Sequence, residues 1–161
     1  MALTKVIGAG IGTVTNQFAD ANMASGSVLQ VVQVSATTYQ TTSSTSYVNY
    51  SYTNATITPS STSSKVLVLS SHNTEVYQNN AADSQGRYVI YRGGSEVSEV
   101  NSIRHYDYGG SGHLGLSNSV INFLDSPSST SSVLYQLYMK RVSGDGAGIT
   151  GGSITLLEIA G

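Results

Sequence analysis

The chain has 161 residues, seven of them basic and nine acidic, with no cysteine, no tryptophan, seventeen glycines and two prolines. That length makes one domain the default and buries roughly two-thirds of the unfolded surface, while charged residues, at 10%, fall well below the usual share. A net charge of −2 offers no basic field for phosphates, so nucleic acid is not an expected partner, and the lack of thiols excludes disulfides, thiolate catalysis and thiolate zinc sites.

Serine and threonine together number 43, so the surface is expected to be hydroxyl and amide rather than ionic. Residues 1–26 have frequent glycine and no period-2 alternation, and read as an extended arm with one short helical turn around Phe18. The apolar stretch from Val6 to Val14 is too short and too interrupted for a secretory signal or a membrane span. A soluble mature chain without membrane insertion is the expectation.

From Ser27 the texture becomes β. SVLQVVQV (27–34) has two apolar faces, suiting a strand buried on both sides or at a subunit interface. SYVNYSYTNATI (46–57) favours strand through its Thr, Tyr, Val and Ile content. TPSSTSS (58–64) reads as a turn, and KVLVLSS (65–71) is the strongest strand pattern in the chain. YQNNAADSQG (77–86) reads as a polar loop, followed by RYVIYR (87–92), a Gly93-Gly94 turn and SEVSEV (95–100) as a hairpin. SIRHYDYGGSGHLGLS (102–117) reads as a Gly-rich aromatic loop and NSVINFLD (118–125) as a strand. SVLYQLYMKRV (132–142) alternates, with Val133, Tyr135, Leu137 and Met139 on one face. SGDGAGITGG (143–152) reads as a glycine turn, and SITLLEIA (153–160) is too apolar for a solvent-facing edge, so it belongs centrally in a sheet or against a neighbouring subunit. The sum is an all-β fold: an antiparallel β-sandwich, most simply a jelly roll of about eight strands over 27–161, preceded by the arm.

Few constellations suggest chemistry. KVIGAGIGTVT (5–15) imitates a dinucleotide fingerprint, but the third glycine would fall at Thr13 and no helix or second parallel strand follows. His105, Asp107 and His113 have ligand chemistry for a divalent metal, yet their spacing matches no closed site, and hydrogen-bonded loop residues with no metal or cofactor are expected. Glu96 with Glu99 and Asp83 with Glu75 are candidate carboxylate pairs, but Glu96 and Glu99 would face opposite sides of a strand, and no nucleophile elbow occurs. No enzymatic activity is expected.

The eleven tyrosines are the richer sign. Those on strands suit half-buried sandwich positions. Tyr106 and Tyr108, in the Gly-rich stretch, suit adaptable recognition, so His105, Tyr106, Asp107, Tyr108 and His113 form the candidate recognition loop.

GSVLQVVQV (26–34), ATITPSSTSSKVLVL (55–69) and GGSITLLEIAG (151–161), together with the opening MALTKVIGAG, resemble structural proteins of tailed bacteriophages. In that group a short N-terminal segment precedes a tumour-necrosis-factor-like jelly roll, usually trimeric. The resemblance covers both ends of the β domain and not residues 72–125. It implies a virion protein displayed as a homotrimer, docked to other virion proteins through the arm, with Lys5, Val6, Ile7 and Phe18 as candidate attachment residues. A tail fibre or tip that meets a host-surface glycan is the first reading. Only about 25 residues precede the β domain where fibres carry a long shaft, which brings in a capsid decoration or head-fibre protein as alternative. A carbohydrate-binding module without a virion role is the further alternative.

Overall fold

The computed structural model describes residues 23–79, 83–106 and 112–161. Lys5, Val6, Ile7, Phe18, Asp107 and Tyr108 lie outside the described residues. The described residues form ten strands and no helix: β1 (Val28–Ala36), β2 (Gln40–Thr42), β3 (Val48–Ile57), β4 (Lys65–Gln78), β5 (Asp83–Arg92), β6 (Ser95–Glu96), β7 (Asn101–Tyr106), β8 (His113–Asp125), β9 (Val133–Ser143) and β10 (Gly146–Ile159). All pairings are antiparallel. One sheet runs β1-β10-β4-β8, with β2 continuing beside β10; the other runs β3-β9-β5, with β6 and β7 both on the far side of β5. The two sheets face each other as the expected β-sandwich.

The core follows from period-2 burial. Val133, Tyr135, Leu137 and Met139 all point inward from β9, as their alternation predicts. They meet Val66, Val68 and Val76 of β4, Ile154 and Leu156 of β10, and Tyr88 and Ile90 of β5. Three tyrosines are fully buried, and each hydroxyl finds an acceptor: Tyr50 donates to Thr38 O, Tyr88 to Glu75 O and Gly148 O, and Tyr135 to Asp125 Oδ2. These three strand tyrosines are therefore structural. Gly93 and Gly94 both have positive φ and close a two-residue hairpin, although the returning strand is only Ser95–Glu96.

Several loops expected from the sequence are strands. β4 continues through His72 to Gln78, and β5 starts at Asp83, so most of 77–86 is paired. The stretch 102–117 contains all of β7 beyond its first residue and the start of β8. The glycine-rich 146–152 is the first half of β10. Here glycines make room rather than turns. A Cβ on Gly146 would lie 2.3 Å from the Tyr77 ring, and one on Gly148 would lie 2.7 Å from Glu75 Oε1. Side chains of β4 thus lie across β10. β1 is an edge strand rather than one buried on both sides: Val32 and Val34 pack on the core while Val28 and Val31 are exposed. β10 is central, as its apolar sequence requires.

The two Ser-Ser-Thr-Ser-Ser segments do equivalent work. Residues 58–64 carry the chain from β3 to β4, and 126–132 carry it from β8 to β9, each crossing between the sheets. Both lie at the pole where the chain enters, since Lys65 pairs with Ile159, Ile159 pairs with Val28, and Gly26 N donates to Ala160 O. Among the described residues, no helix is long and apolar enough to cross a membrane.

Candidate functional site

β4 spans fourteen residues from the entry pole, at Lys65, to the far pole, at Gln78, about 45 Å at ordinary strand rise. At the far pole Gln78 pairs with His113, and the β9–β10 turn at Gly144 and Asp145 packs beside it, with Asp145 N donating to Tyr77 O. The end of β4 and the start of β5, the end of β7 and the start of β8, and the end of β9 and the start of β10 all lie at this pole. His105, Tyr106 and His113 therefore stand opposite the pole at which the described chain enters β1.

β7 and β8 belong to different sheets, and the corner between them brings His105 and His113 together, ring centroids 4.4 Å apart. Gly115 permits this approach, because a Cβ there would lie 2.7 Å from the His105 Cβ. Ser84, fully buried on β5, places its Oγ 2.8 Å from His113 Nε2. Beside it, Asp83 accepts from Arg104 Nε at 2.6 Å and from Ser143 Oγ at 2.8 Å. These hydrogen bonds, with Arg104 foremost, hold the Asp83 carboxyl below its ordinary range. Arg104 is mostly exposed, so the ion pair fixes geometry more than it adds stability. Tyr106, the last residue of β7, is exposed at the same pole.

Of the five candidate recognition residues, His105, Tyr106 and His113 are thus gathered at one pole. The sequence reading missed Ser84, Arg104 and Ser143. Ser84 could have been found by extending the alternation of Tyr88 and Ile90 back through Gly86; Arg104 and Ser143 carry no comparable pattern. Asp83 and Glu75, weighed together as a carboxylate pair, have separate partners: Asp83 holds Arg104, and Glu75 accepts from the Tyr39 hydroxyl.

The Ser84–His113 contact lacks the parts of a hydrolytic dyad. A serine nucleophile needs an accessible Oγ and a carboxylate orienting the far imidazole nitrogen. Ser84 is fully buried, and His113 Nδ1 has no partner among the described residues.

A second aromatic group lies on the outer face of the β3-β9-β5 sheet. Tyr91 and Tyr138 approach with centroids 4.2 Å apart, Tyr47 meets Tyr91 edge-on at 6.0 Å, and Lys140 Nζ sits 4.4 Å from the Tyr47 centroid. On the opposite outer face, β8 turns Leu114, Leu116, Val120 and Leu124 to solvent.

No protein-family model matches the sequence, and no curated protein matches it. Among solved structures, similarity is found to a chain in the structure of the infectious bursal disease virus Gx strain, at 15% identity and TM-score 0.39, covering 82% of this chain and 32% of that one. A chain of the T13 infectious bursal disease virus particle is similar at 17% identity and TM-score 0.35, over 82% of this chain and 31% of that one. Dimeric latent PorU from Porphyromonas gingivalis is similar at 11% identity and TM-score 0.35, over 86% of this chain and 14% of its own. The chain spans about a third or less of the length of these proteins.

Proposed function

We propose that the chain is a non-catalytic virion structural protein of a tailed bacteriophage, displayed as a homotrimer and serving as a tail fibre or tip. The observation that carries the reading is polar opposition: the described chain enters the sandwich beside Gly26 and Ala160, while His105, Tyr106 and His113 occupy the other end. A protein docked by one end and read by the other needs that arrangement. The strand orders β1-β10-β4-β8 and β3-β9-β5-β7 support a jelly roll built from the eight longer strands.

The trimer reading is supported by the outer face of the β1-β10-β4-β8 sheet. Register places Val31, Leu157, Leu67 and Leu124 in one row across four strands, and Leu114 and Leu116 near the far pole. The outward positions between them are Leu69, Val120 and otherwise Gln, Ser, Thr, Asn and Gly, with no exposed charge. An uncharged face brings no like-charge repulsion where copies of the chain converge, and interface cores are depleted in charge. A host glycan is the recognised chemistry this reading favours, and the Tyr47, Tyr91 and Tyr138 cluster offers it rings to stack on.

Locating the chain in a reconstruction of purified particles tests the reading. Density at the tail end is the expected result. Density on the capsid replaces the fibre with a decoration or head-fibre role, and absence from particles removes the virion role and leaves a carbohydrate-binding module.

A further inference from the structure

We propose that His105 and His113 form a binding site for a borderline divalent metal ion of the zinc class at the far pole. Three independent features converge there. The first is ring geometry. An ion held by two imidazole nitrogens at ordinary zinc distances, with a right or tetrahedral angle between them, sets the ring centroids about 4.5 to 5 Å apart. The two rings stand 4.4 Å apart, so closing on an ion requires them to part by less than about 1 Å.

The second is the unequal treatment of the two nitrogens of His113. Nε2 is engaged by Ser84 Oγ at 2.8 Å, whereas Nδ1 is buried with no partner among the described residues. A buried imidazole nitrogen left bare is destabilising, because its lost hydration is not replaced. Metal-bound histidines characteristically pass their other ring N–H to an oxygen acceptor, which fixes tautomer and orientation. Ser84 is placed to be that acceptor. Nε2–H then donates to Oγ, and the Nδ1 lone pair is left for the ion.

The third is the glycine at 115. A strand interior loses stability by carrying glycine, yet any side chain there would collide with His105. The glycine seats His105 beside His113. Both histidines are partly exposed, and an ion reaches the buried His113 Nδ1 as the two rings part. Among the described residues no third histidine, cysteine or carboxylate completes a closed cluster. Two protein ligands leave the remaining positions to water or to an oxygen donor from whatever the pole meets. His72 takes no part, since both its nitrogens are bonded to hydroxyls inside the core.

The chain has only three histidines, which makes the test direct. Zinc chloride is titrated into the full chain while the imidazole resonances are followed by long-range nitrogen–proton correlation spectroscopy. Two of the three ring systems are expected to shift or broaden together, with that of His72 unmoved. Calorimetry should give one saturable site per chain, weakened at least tenfold by His105→Ala, and likewise by Gly115→Ala, which displaces His105 and leaves His113 in place. Three unmoved imidazoles at millimolar zinc would overturn the site. So would undiminished affinity in His105→Ala, which would put the ion elsewhere.

Discussion

Thr53 on β3 reaches across the sandwich to His72 on β4, with its Oγ1 3.0 Å from the imidazole Nε2, while Ser70 Oγ lies 3.1 Å from Nδ1. The Tyr50 ring meets the imidazole edge-on, and burial lowers the His72 pKa to about 4. The group is therefore neutral when folded at pH 5, whereas in the unfolded chain it takes a proton below its ordinary value of 6.5. Between those values the unfolded state binds more protons, so stability falls as pH drops from 6.5 to 4, by on the order of 3 kcal/mol. Urea midpoints across this range should show the loss, and His72→Asn should flatten it. An unchanged slope in the variant would assign the loss to other groups. Glu158 acts in a different window. Burial works against its ionisation, but hydrogen bonds from Gln30 and Ser60 prevail and hold its carboxyl below the ordinary range. Its contribution persists until the pH falls through that lowered value.

The glycines of β10 separate two kinds of crowding. Gly146→Ala brings a Cβ against the Tyr77 ring, a side chain that can itself be removed. Gly152→Ala brings a Cβ 2.3 Å from Ser71 O, at a φ of +148° that L residues rarely adopt. Both should destabilise, the first by roughly 2 kcal/mol and the second by more. Tyr77→Ala combined with Gly146→Ala should recover part of the loss, measured as coupling in a double-mutant cycle. Strict additivity of that pair would show that the ring does not cross β10 in solution.

Which strands were readable follows from what they bury. β9 puts Val133, Tyr135, Leu137 and Met139 inward, and β10 from Ser153 onward is nearly all apolar, so alternation and hydrophobicity identify both. Elsewhere the pattern is inverted. β8 begins with Leu114 and Leu116 pointing out and Gly115 pointing in. β4 buries His72 and Thr74, and β5 buries Ser84, polar residues that bond to the Thr53 and Ser70 hydroxyls, the Ser117 carbonyl and the His113 imidazole rather than packing only on apolar neighbours. A hydrophobic pattern cannot report a strand whose inward face is hydrogen-bonded. The meeting of His105 and His113 is also invisible in their spacing, because it depends on β7 and β8 lying at the corner of two different sheets.

Asp125 holds the entry pole together. Its Oδ2 accepts from Arg92 Nη1 at 2.5 Å and Tyr135 OH at 2.6 Å, and its Oδ1 accepts from Ser126 N at 2.9 Å. Burial, followed by that carboxylate, raises the Tyr135 pKa. Asp125→Ala strands a buried hydroxyl and a partly buried guanidinium, and should cost roughly 2 to 3 kcal/mol. Tyr135→Phe removes donor alone and should cost about 1 kcal/mol. Denaturation midpoints rank the two; equal losses would mean that Arg92, which is 30% exposed, satisfies itself in solvent.

The outer face of β8 sets the last expectation. Leu116 is 69% exposed, Leu114 55%, Leu124 51% and Val120 49%, on a strand whose far edge pairs with no other described strand. Together they present roughly 400 Å² of apolar side chain, comparable with the largest patch on an ordinary monomer, and about half of what one partner buries in a standard interface. Leu67, Leu69 and Val31 extend the same face. If copies of the chain meet there, Leu116→Glu combined with Leu124→Glu places like charges at every contact. The assembly should fall from three chains to one, by light scattering at micromolar concentration. Both side chains are solvent-facing in the single chain, so the monomer's own thermal transition should move little. A wild-type protein that is already monomeric would remove the trimer, and a trimer untouched by the two charges would move its interface to another face.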